Sequence, residues 1–209
     1  HLKGTAGFIM KKLFKRLLNT EFGQFIFNGA IIRLPEEMHV AENSSILSIG
    51  QHQKNLLPIL KNRLGLKKEI HNIIIENKEY YINKDKQKYK DLSELGDLIN
   101  KYKFDLVLCG HYTNLLDNEE LKKFISIIYQ SINSEGLIII WNFEETSSLF
   151  FRWFLNFPFS LENFKKHPNE RILEIAKEAK VEFMTEVSVR PFLFPFTKRK
   201  SVILGKPPN

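Results

Sequence analysis

Short apolar runs alternate with amphipathic patterns along the chain from residue 44 onward. Uninterrupted apolar runs bounded by glycine or polar residues are typical of strands in a parallel sheet that is buried on both faces. Patterns with apolar positions three and four residues apart are typical of helices that cover such a sheet. The predicted strands are Ile46–Ile49, Ile70–Ile75, Phe104–Leu108 and Leu137–Trp141, and the predicted helices are Asn55–Arg63, Leu92–Tyr102 and Asp117–Asn133. This order predicts an α/β fold with helices on both faces of the sheet.

The last third of the chain follows a different order. A helix is predicted over Asn169–Lys180, and two strands follow it, Val181–Val189 and Ser201–Leu204. The connection between these two strands contains Pro191 and Pro195 and leaves no space for a helix, so we expect the strands to pair as an antiparallel hairpin. The predicted sheet is therefore mixed, mostly parallel, with an antiparallel hairpin at its C-terminal end.

Residues before position 44 have a helical pattern of their own. Apolar positions over Phe8–Leu18 recur every three to four residues, and the opposite face of that helix is basic. The helix either packs on the main domain or lies on an anionic membrane surface, and we favour the first because most amphipathic helices cover cores. We therefore divide the chain into an N-terminal helical segment, residues 1–43, and a main domain, residues 44–209.

Charge and cysteine content narrow the class of protein. Of the net charge of +7, residues 1–18 and residues 187–209 contribute +5 each, so the part between them carries −3. Such basic ends can attract the phosphate groups of nucleic acid or of a membrane surface, but in most proteins they are simply solvent-exposed lysines. The sequence contains no nucleic-acid recognition motif. Cys109 is the one cysteine, which excludes an internal disulfide. With no signal peptide pattern or membrane-length apolar run, we expect a cytoplasmic protein.

Several segments match one enzyme family in their order and spacing. They are the strand Phe104–Leu108, the turn Ser134–Gly136 with the strand Leu137–Ile140 after it, the segment Ala179–Phe183 and the ending Val202–Pro207. Together these segments resemble the class I S-adenosylmethionine-dependent methyltransferases. The resemblance spans roughly residues 44–206. It implies a Rossmann-like methyltransferase fold, with S-adenosylmethionine as the cofactor.

The resemblance assigns the cofactor site to the turn after the first strand. The family has an acid there and then three glycines at alternate positions, because the backbone passes close to the cofactor. In this chain Ser48 takes the place of the acid, Gly50 is the glycine that is retained, and His52 and Lys54 occupy the other two positions. The cofactor motif is therefore degenerate. The two side chains either recognise the carboxylate of the cofactor or block the site.

Further cofactor contacts are implied at three places along the chain. Glu76 follows the second strand, where an acid hydrogen-bonds the ribose hydroxyls in nucleotide-binding folds. Asp91 either contacts the adenine amino group or caps the helix that follows it. Cys109 and Gly110 come at the carboxyl end of the fourth strand, where ligands bind in open α/β sheets. The Lys- and Tyr-rich segment between Glu76 and Asp91 is too short for the family's usual helix and strand.

His111 and Tyr112 come next in the same loop and are the candidate catalytic residues. His111 can act as a general base near neutral pH, and Tyr112 can orient a substrate hydroxyl. The alternative for His111 is a loop histidine that is hydrogen-bonded to backbone or water. Alignment of nucleophile and methyl group supplies much of the catalysis of methyl transfer, so a base is not required. No metal site is predicted.

An aromatic segment precedes the last third of the chain. Residues 141–164 contain both tryptophans and seven of the eighteen phenylalanines. The family carries a substrate-capping insertion at this place, which the resemblance sets at about residues 143–168. Core filling is an equal alternative, and a contact surface between copies of the chain or a membrane-facing belt are others. The candidate contacts for an apolar or aromatic substrate are Phe150, Trp153, Phe154 and Phe157.

These features together predict a methyltransferase that depends on S-adenosylmethionine and acts on a small apolar or aromatic molecule. The alternative is a methyltransferase-like binding or scaffolding protein that has lost the cofactor. The two hypotheses differ at the degenerate turn after Ser48, because the first requires His52 and Lys54 to accept the cofactor and the second has them exclude it.

Overall fold

The structure is a computed structural model of the chain. It describes residue 16 and residues 20–50, 56–74, 78–82, 85–142, 167–189 and 199–207. The helix predicted over Phe8–Leu18 and most of the aromatic segment lie outside the described residues. The division into a segment before residue 44 and a main domain, with a cap at about residues 143–168, stays a prediction.

The described elements alternate between helices and strands, except that three strands follow one another between residues 71 and 88, and they end with a helix and two strands. The helices are α1 (Glu21–Glu37), α2 (Leu56–Arg63), α3 (Leu92–Ile99), α4 (Asn118–Ser131) and α5 (Asn169–Glu178), with a short 3-10 helix at Thr113–Leu115. The strands are β1 (Ile46–Gly50), β2 (His71–Ile74), β3 (Glu79–Ile82), β4 (Asp85–Lys88), β5 (Phe104–Gly110), β6 (Ile132–Trp141), β7 (Phe183–Val189) and β8 (Arg199–Gly205).

All eight strands form one mixed sheet with the order β4-β3-β2-β1-β5-β6-β8-β7. Its centre is parallel, because β1 pairs in parallel with both β2 and β5, and β5 pairs in parallel with β6. At one end, β8 is antiparallel to both β6 and β7. The predicted α/β class, the mixed sheet and the C-terminal antiparallel hairpin are therefore confirmed.

Each face of the sheet is covered by helices, as the apolar strands require. Helices α3, α4 and α5 cover one face, where Leu95, Phe124 and Ile172 pack on strand residues such as Val107 and Ile140. Helices α1 and α2 cover the other face. Their packing residues belong to one buried cluster with Leu106, Leu108, Ile139 and Trp141 of the sheet: Ile31, Ile32, Leu34, Leu56 and Leu60.

Two helices begin at the residues that the sequence marks as caps. The carboxylate of Asp117 accepts a hydrogen bond from the backbone N–H of Glu120, and the carboxylate of Glu120 accepts one from the backbone N–H of Asp117, both at 2.8 Å. This reciprocal capping box begins α4. Asp91 caps α3 by accepting from the backbone N–H groups of Ser93 and Glu94, at 2.8 and 3.0 Å. The alternative that Asp91 is a helix cap is thus confirmed.

The Lys- and Tyr-rich segment forms an antiparallel hairpin that the sequence analysis did not predict. β3 pairs antiparallel with β2, and β4 pairs antiparallel with β3 along an exposed edge. Glu79 and Tyr80 of β3 are both buried, whereas β4 is exposed throughout, so neither strand shows the alternating burial by which a half-buried strand is recognised in a sequence. Lysines on the edge strand are a common protection against pairing with another chain.

Tyr80 anchors this hairpin through a histidine on the neighbouring strand. The Tyr80 hydroxyl lies 2.8 Å from Nδ1 of His71. The His71 ring also contacts Tyr102 and Phe104 edge-on, with centroid distances of 4.8 and 5.2 Å. Burial among these rings lowers the pKa of His71 below its ordinary 6.5, because the charged imidazolium loses hydration there.

The lowered pKa of His71 predicts a pH-dependent stability. The unfolded chain binds a proton at this histidine more readily than the folded chain, so the free energy of unfolding falls as the pH drops below about 6.5. We expect His71→Gln, which keeps a polar partner for Tyr80 but does not titrate, to flatten the fall in urea-unfolding free energy between about pH 7.5 and pH 5.5. The exposed His39→Gln should leave that slope unchanged. Equal slopes in wild type and His71→Gln would contradict the assignment.

Candidate functional site

Three central strands end side by side at the carboxyl edge of the parallel sheet. Gly50 of β1 pairs with Gly110 of β5, and Gly110 pairs with Trp141 of β6. Ligands of open α/β folds bind at this edge, beyond the carboxyl ends of the strands. The two adjacent glycines carry no side chain, so the backbone itself forms this part of the edge.

Only some of the predicted cofactor residues belong to the ranges that the structure describes. Ser48 is fully buried in β1, two residues before the edge, and Gly50 ends that strand. His52, Lys54 and Glu76 lie outside the described residues, so their roles stay predictions. Ser48 is a neutral residue at the place where the family has an acid, and the structure therefore puts no carboxylate at this position.

An acidic residue that was not predicted from the sequence lies at this edge. Glu79 is buried at the start of β3, opposite Ile74 at the carboxyl end of β2. Its carboxylate accepts hydrogen bonds from the Tyr81 hydroxyl and forms an ion pair with Lys86 of β4. Glu79 was not predicted as a site residue because it belongs to the antiparallel hairpin and not to the end of the predicted second strand.

The loop after β5 begins with a residue in an unusual backbone conformation. His111 has φ of 60°, in the left-handed region that is uncommon for residues other than glycine. Its backbone N–H donates to the carbonyl of Trp141 at 2.8 Å, which ties the loop to the end of β6. Strained residues of this kind cluster at functional sites. The His111 side chain is buried at the carboxyl edge, and its role as a general base stays a prediction.

Tyr112 and Cys109 lie inside the apolar core beneath this loop. The Tyr112 ring packs edge-on against Phe124 of α4, with centroids 4.7 Å apart. Burial raises the pKa of the Tyr112 phenol well above its ordinary value, so the phenol keeps its proton at neutral pH. Burial likewise raises the pKa of the Cys109 thiol to about 12. The orienting role for Tyr112 and the cofactor contacts for Cys109 and Gly110 stay predictions.

Buried polar side chains gather where the 3-10 helix, the end of β6 and the start of α5 meet. The Thr113 hydroxyl donates to Oδ1 of Asn142, which directly follows β6. Nε2 of His167 lies 2.7 Å from the backbone carbonyl of Leu116. Asn169, the first residue of α5, donates from Nδ2 to the carbonyl of Lys200 at 3.3 Å. The sequence analysis missed Asn142 and Asn169, although Asn142 is the first polar residue after an apolar strand.

The substrate cap, a metal site and a membrane span are the remaining points that bear on the site. Phe150, Trp153, Phe154 and Phe157 lie outside the described residues, so the substrate cap stays a prediction. Within the described ranges, no group of three histidine, cysteine, aspartate or glutamate side chains is placed to hold a metal ion. In the same part of the chain, no helix is both long and apolar enough to cross a bilayer.

Comparison with known proteins supports the fold at the level of structure alone. No protein-family model matches the sequence, and no curated protein matches it in sequence. A solved S-adenosylmethionine-dependent methyltransferase from Archaeoglobus fulgidus is similar, with a TM-score of 0.58 and 17% identity over 86% of this chain and 94% of that one. An O-methyltransferase family protein from Burkholderia thailandensis has a TM-score of 0.54 and 12% identity over 93% of this chain and 62% of that one.

A third similar structure, PigF with SAH, has a TM-score of 0.52 and 14% identity, covering 95% of this chain and 66% of that one. The chain thus spans less than two thirds of the length of these last two proteins. Taken together, the likenesses define the chain as a protein with a Rossmann-like fold. More particularly, it has the fold of the class I S-adenosylmethionine-dependent methyltransferases, which confirms the fold that the sequence resemblance implied.

The residues at the carboxyl edge of the sheet fit S-adenosylmethionine, the cofactor that the resemblance implies, only in part. The paired Gly50 and Gly110 leave this part of the carboxyl edge without side chains, so a ligand there can come close to the backbone. The hairpin of β3 and β4 stands where such folds continue with a parallel strand, so the wall beside β2 differs from the family pattern. Ser48 lacks the charge of the family's acid.

The burial of Cys109 predicts a thiol that does not react while the protein is folded. A thiol with a pKa of about 12 is almost entirely protonated at about pH 8, and the thiolate is the reactive form. We expect an aromatic disulfide reagent to label the folded chain at least about a hundredfold more slowly than the chain unfolded in guanidinium. Because the chain has one cysteine, the absorbance of the released thiolate reports this site alone. Full labelling of the folded chain within seconds would contradict the placement.

Proposed function

We propose that the protein is an S-adenosylmethionine-dependent methyltransferase that acts on a small apolar or aromatic molecule. The observation that carries this proposal is the Gly50–Gly110 pair at the carboxyl edge of a sheet with the methyltransferase strand order. Ligands of such folds lie at this edge, and two adjacent glycines permit close approach of a ligand to the backbone. The similarity to solved methyltransferases supports the same class of activity.

The residues that would hold the cofactor are those of the carboxyl edge and its two adjoining turns. Gly50 and Gly110 would face it through their backbone, Glu76 would accept hydrogen bonds from the ribose hydroxyls, and His52 and Lys54 would donate to its carboxylate. When bound, the cofactor supplies an electrophilic methyl group on a sulfonium. A cationic Lys54 near a carboxylate contributes a charge-assisted hydrogen bond, which is stronger than a neutral one.

The residues that would act on the substrate belong to the loop after β5 and to the aromatic segment. His111 would accept a proton from the substrate, and the aromatic side chains Phe150, Trp153, Phe154 and Phe157 would bury its apolar part and exclude water. Tyr112 keeps its phenolic proton because burial raises the pKa of its hydroxyl, so its contribution would be a hydrogen bond and not proton removal.

A cofactor-free binding or scaffolding protein is the second candidate, and two observations favour it. Ser48 removes the carboxylate expected on β1, and the antiparallel hairpin replaces the parallel strand expected beyond β2. Both changes fall on the cofactor half of the edge. The loop after β5 and the end of β6 hold buried polar side chains.

Cofactor binding decides between these two candidates. If His52 and Lys54 accept the cofactor, millimolar S-adenosylmethionine should raise the melting temperature of the wild type by several degrees, because a ligand stabilises by RT ln(1 + [L]/Kd). Lys54→Ala and Glu76→Ala should each weaken the binding by at least about tenfold, the effect of losing a charge-assisted hydrogen bond. The measurement is a thermal-shift titration followed by calorimetry, with S-adenosylhomocysteine as a second ligand.

Lys68→Ala is the matched control, because Lys68 is exposed after α2 and should bind the cofactor like the wild type. A well-folded wild type that shows no shift at millimolar cofactor would overturn the methyltransferase and favour the cofactor-free protein. Binding that survives Lys54→Ala and Glu76→Ala unchanged would retain the enzyme but reject the two assigned contacts.

A further inference from the structure

Two buried asparagines beside β6 each have one side-chain atom that makes no hydrogen bond to the residues that the structure describes. Asn142 is 2% exposed and Asn169 is 1% exposed. In Asn142 the unpaired atom is the donor Nδ2, because Oδ1 already accepts from the Thr113 hydroxyl. In Asn169 it is the acceptor Oδ1, because Nδ2 already donates to the carbonyl of Lys200. The pair therefore offers one donor and one acceptor.

The pairing of β6 with β8 brings these two asparagines to the same place. Trp141 is the register partner of Ser201 in an antiparallel ladder. Asn142 follows Trp141 and Lys200 precedes Ser201, so Asn142 and Lys200 occupy facing positions at the end of that ladder. Asn169 is bonded to the backbone of this same Lys200. The two side chains consequently flank the carboxyl end of β6.

Several neighbouring polar side chains of this place are themselves paired. The bond from Thr113 fixes the carboxamide of Asn142, and the contact of His167 with the carbonyl of Leu116 ties the segment before α5 to the 3-10 helix. The ammonium of Lys200 is held by Glu186 at 2.9 Å, which balances its charge. A neutral group is therefore the ligand chemistry that suits the place, since a lone buried charge would need a partner of opposite sign.

Buried polar groups in native proteins are nearly always hydrogen-bonded, and an exception calls for a partner. A carboxylate would satisfy the donor of Asn142 but would face the acceptor of Asn169 with another acceptor. An ammonium would satisfy the acceptor of Asn169 but would face the donor of Asn142 with another donor. A hydroxyl group accepts and donates on one atom, and it matches both side chains at once.

We propose that Asn142 and Asn169 bind a hydroxyl group of the small-molecule ligand. The hydroxyl oxygen accepts from Nδ2–H of Asn142, and its hydrogen is donated to Oδ1 of Asn169. The identity of this ligand as the methyl-accepting substrate rests on the proposed function, whereas the preference for a hydroxyl rests on the two asparagines alone. Both are positioning residues, because they orient the ligand and take no part in bond making.

The preference can be measured with three probes of similar shape: phenol, which donates and accepts, anisole, which accepts through its ether oxygen, and toluene, which does neither. Each is titrated at millimolar concentration into the ¹⁵N-labelled full chain, and dissociation constants are read from amide shifts in heteronuclear NMR spectra. We expect phenol to bind the wild type at least about fivefold more tightly than toluene, the scale of one or two neutral hydrogen bonds. Anisole should lie between them.

Two variants separate the roles of the asparagines. Asn142→Leu removes the N–H donor without adding a buried charge, so it should weaken phenol by about fivefold while leaving toluene nearly unchanged. Asn169→Ala should remove the preference for phenol over anisole, because it deletes the acceptor for the hydroxyl hydrogen. Asn62→Leu, the same chemical change at an exposed position of α2, should reproduce the wild type. Thr113→Val should act in the same direction as Asn142→Leu, because it frees the Asn142 carboxamide to rotate.

The proposal is overturned if the three probes bind the wild type equally or if phenol does not bind at millimolar concentration. It is also overturned if folded Asn142→Leu, judged by its dispersed amide spectrum, keeps the full preference for phenol. The cofactor titration is independent of these probes. A preference for phenol in a protein that does not respond to S-adenosylmethionine would support the hydroxyl site and reject the methyltransferase.

Discussion

Burial of the parallel ladder β2-β1-β5-β6 on both faces is the constraint on which the rest of the structure depends. A sheet covered by helices on each side has no apolar face left for a ligand, and most of its buried strand residues are Leu, Ile and Val. Polar chemistry is therefore confined to the ends of the strands. The carboxyl edge, where β1 and β5 end in Gly50 and Gly110, is the place where backbone and loop side chains can meet a ligand together.

The same burial explains which parts of the fold could be predicted from the sequence. Strands such as Ile46–Gly50 and Phe104–Gly110 are recognisable because both of their faces are apolar, and the Asp117/Glu120 capping box marks the start of α4 by local chemistry alone. The β3–β4 hairpin escaped prediction because its strands are short and β4 is exposed throughout. It is held by contacts between paired strands, such as the Tyr80 hydroxyl with His71 and the ion pair of Glu79 with Lys86, which the pattern within one strand does not encode.

The candidate site, like the fold, could be predicted from the sequence only in part. The loop from Cys109 to Thr113 could be placed at the carboxyl edge, because it follows an apolar strand. The sequence could not show that Cys109 and Tyr112 point into the core while His111 adopts a left-handed backbone, since one residue's difference along a strand reverses the direction of its side chain. Asn142 and Asn169 are 27 residues apart, and the β6–β8 ladder that unites them is a long-range pairing.

The two halves of the edge have departed from the family pattern to different degrees, and this difference bears on function. Beside β2, Ser48 stands where the family has an acid and the next strand runs antiparallel, so this half of the edge differs from the family pattern in charge and in shape. Beside β6, buried Thr113, Asn142 and Asn169 remain together, although an unpaired buried donor or acceptor destabilises the folded chain. Stability alone would favour apolar replacements there. An added hydrogen-bonding partner at Asn142 and Asn169 would therefore stabilise the folded chain, and this holds for either candidate function.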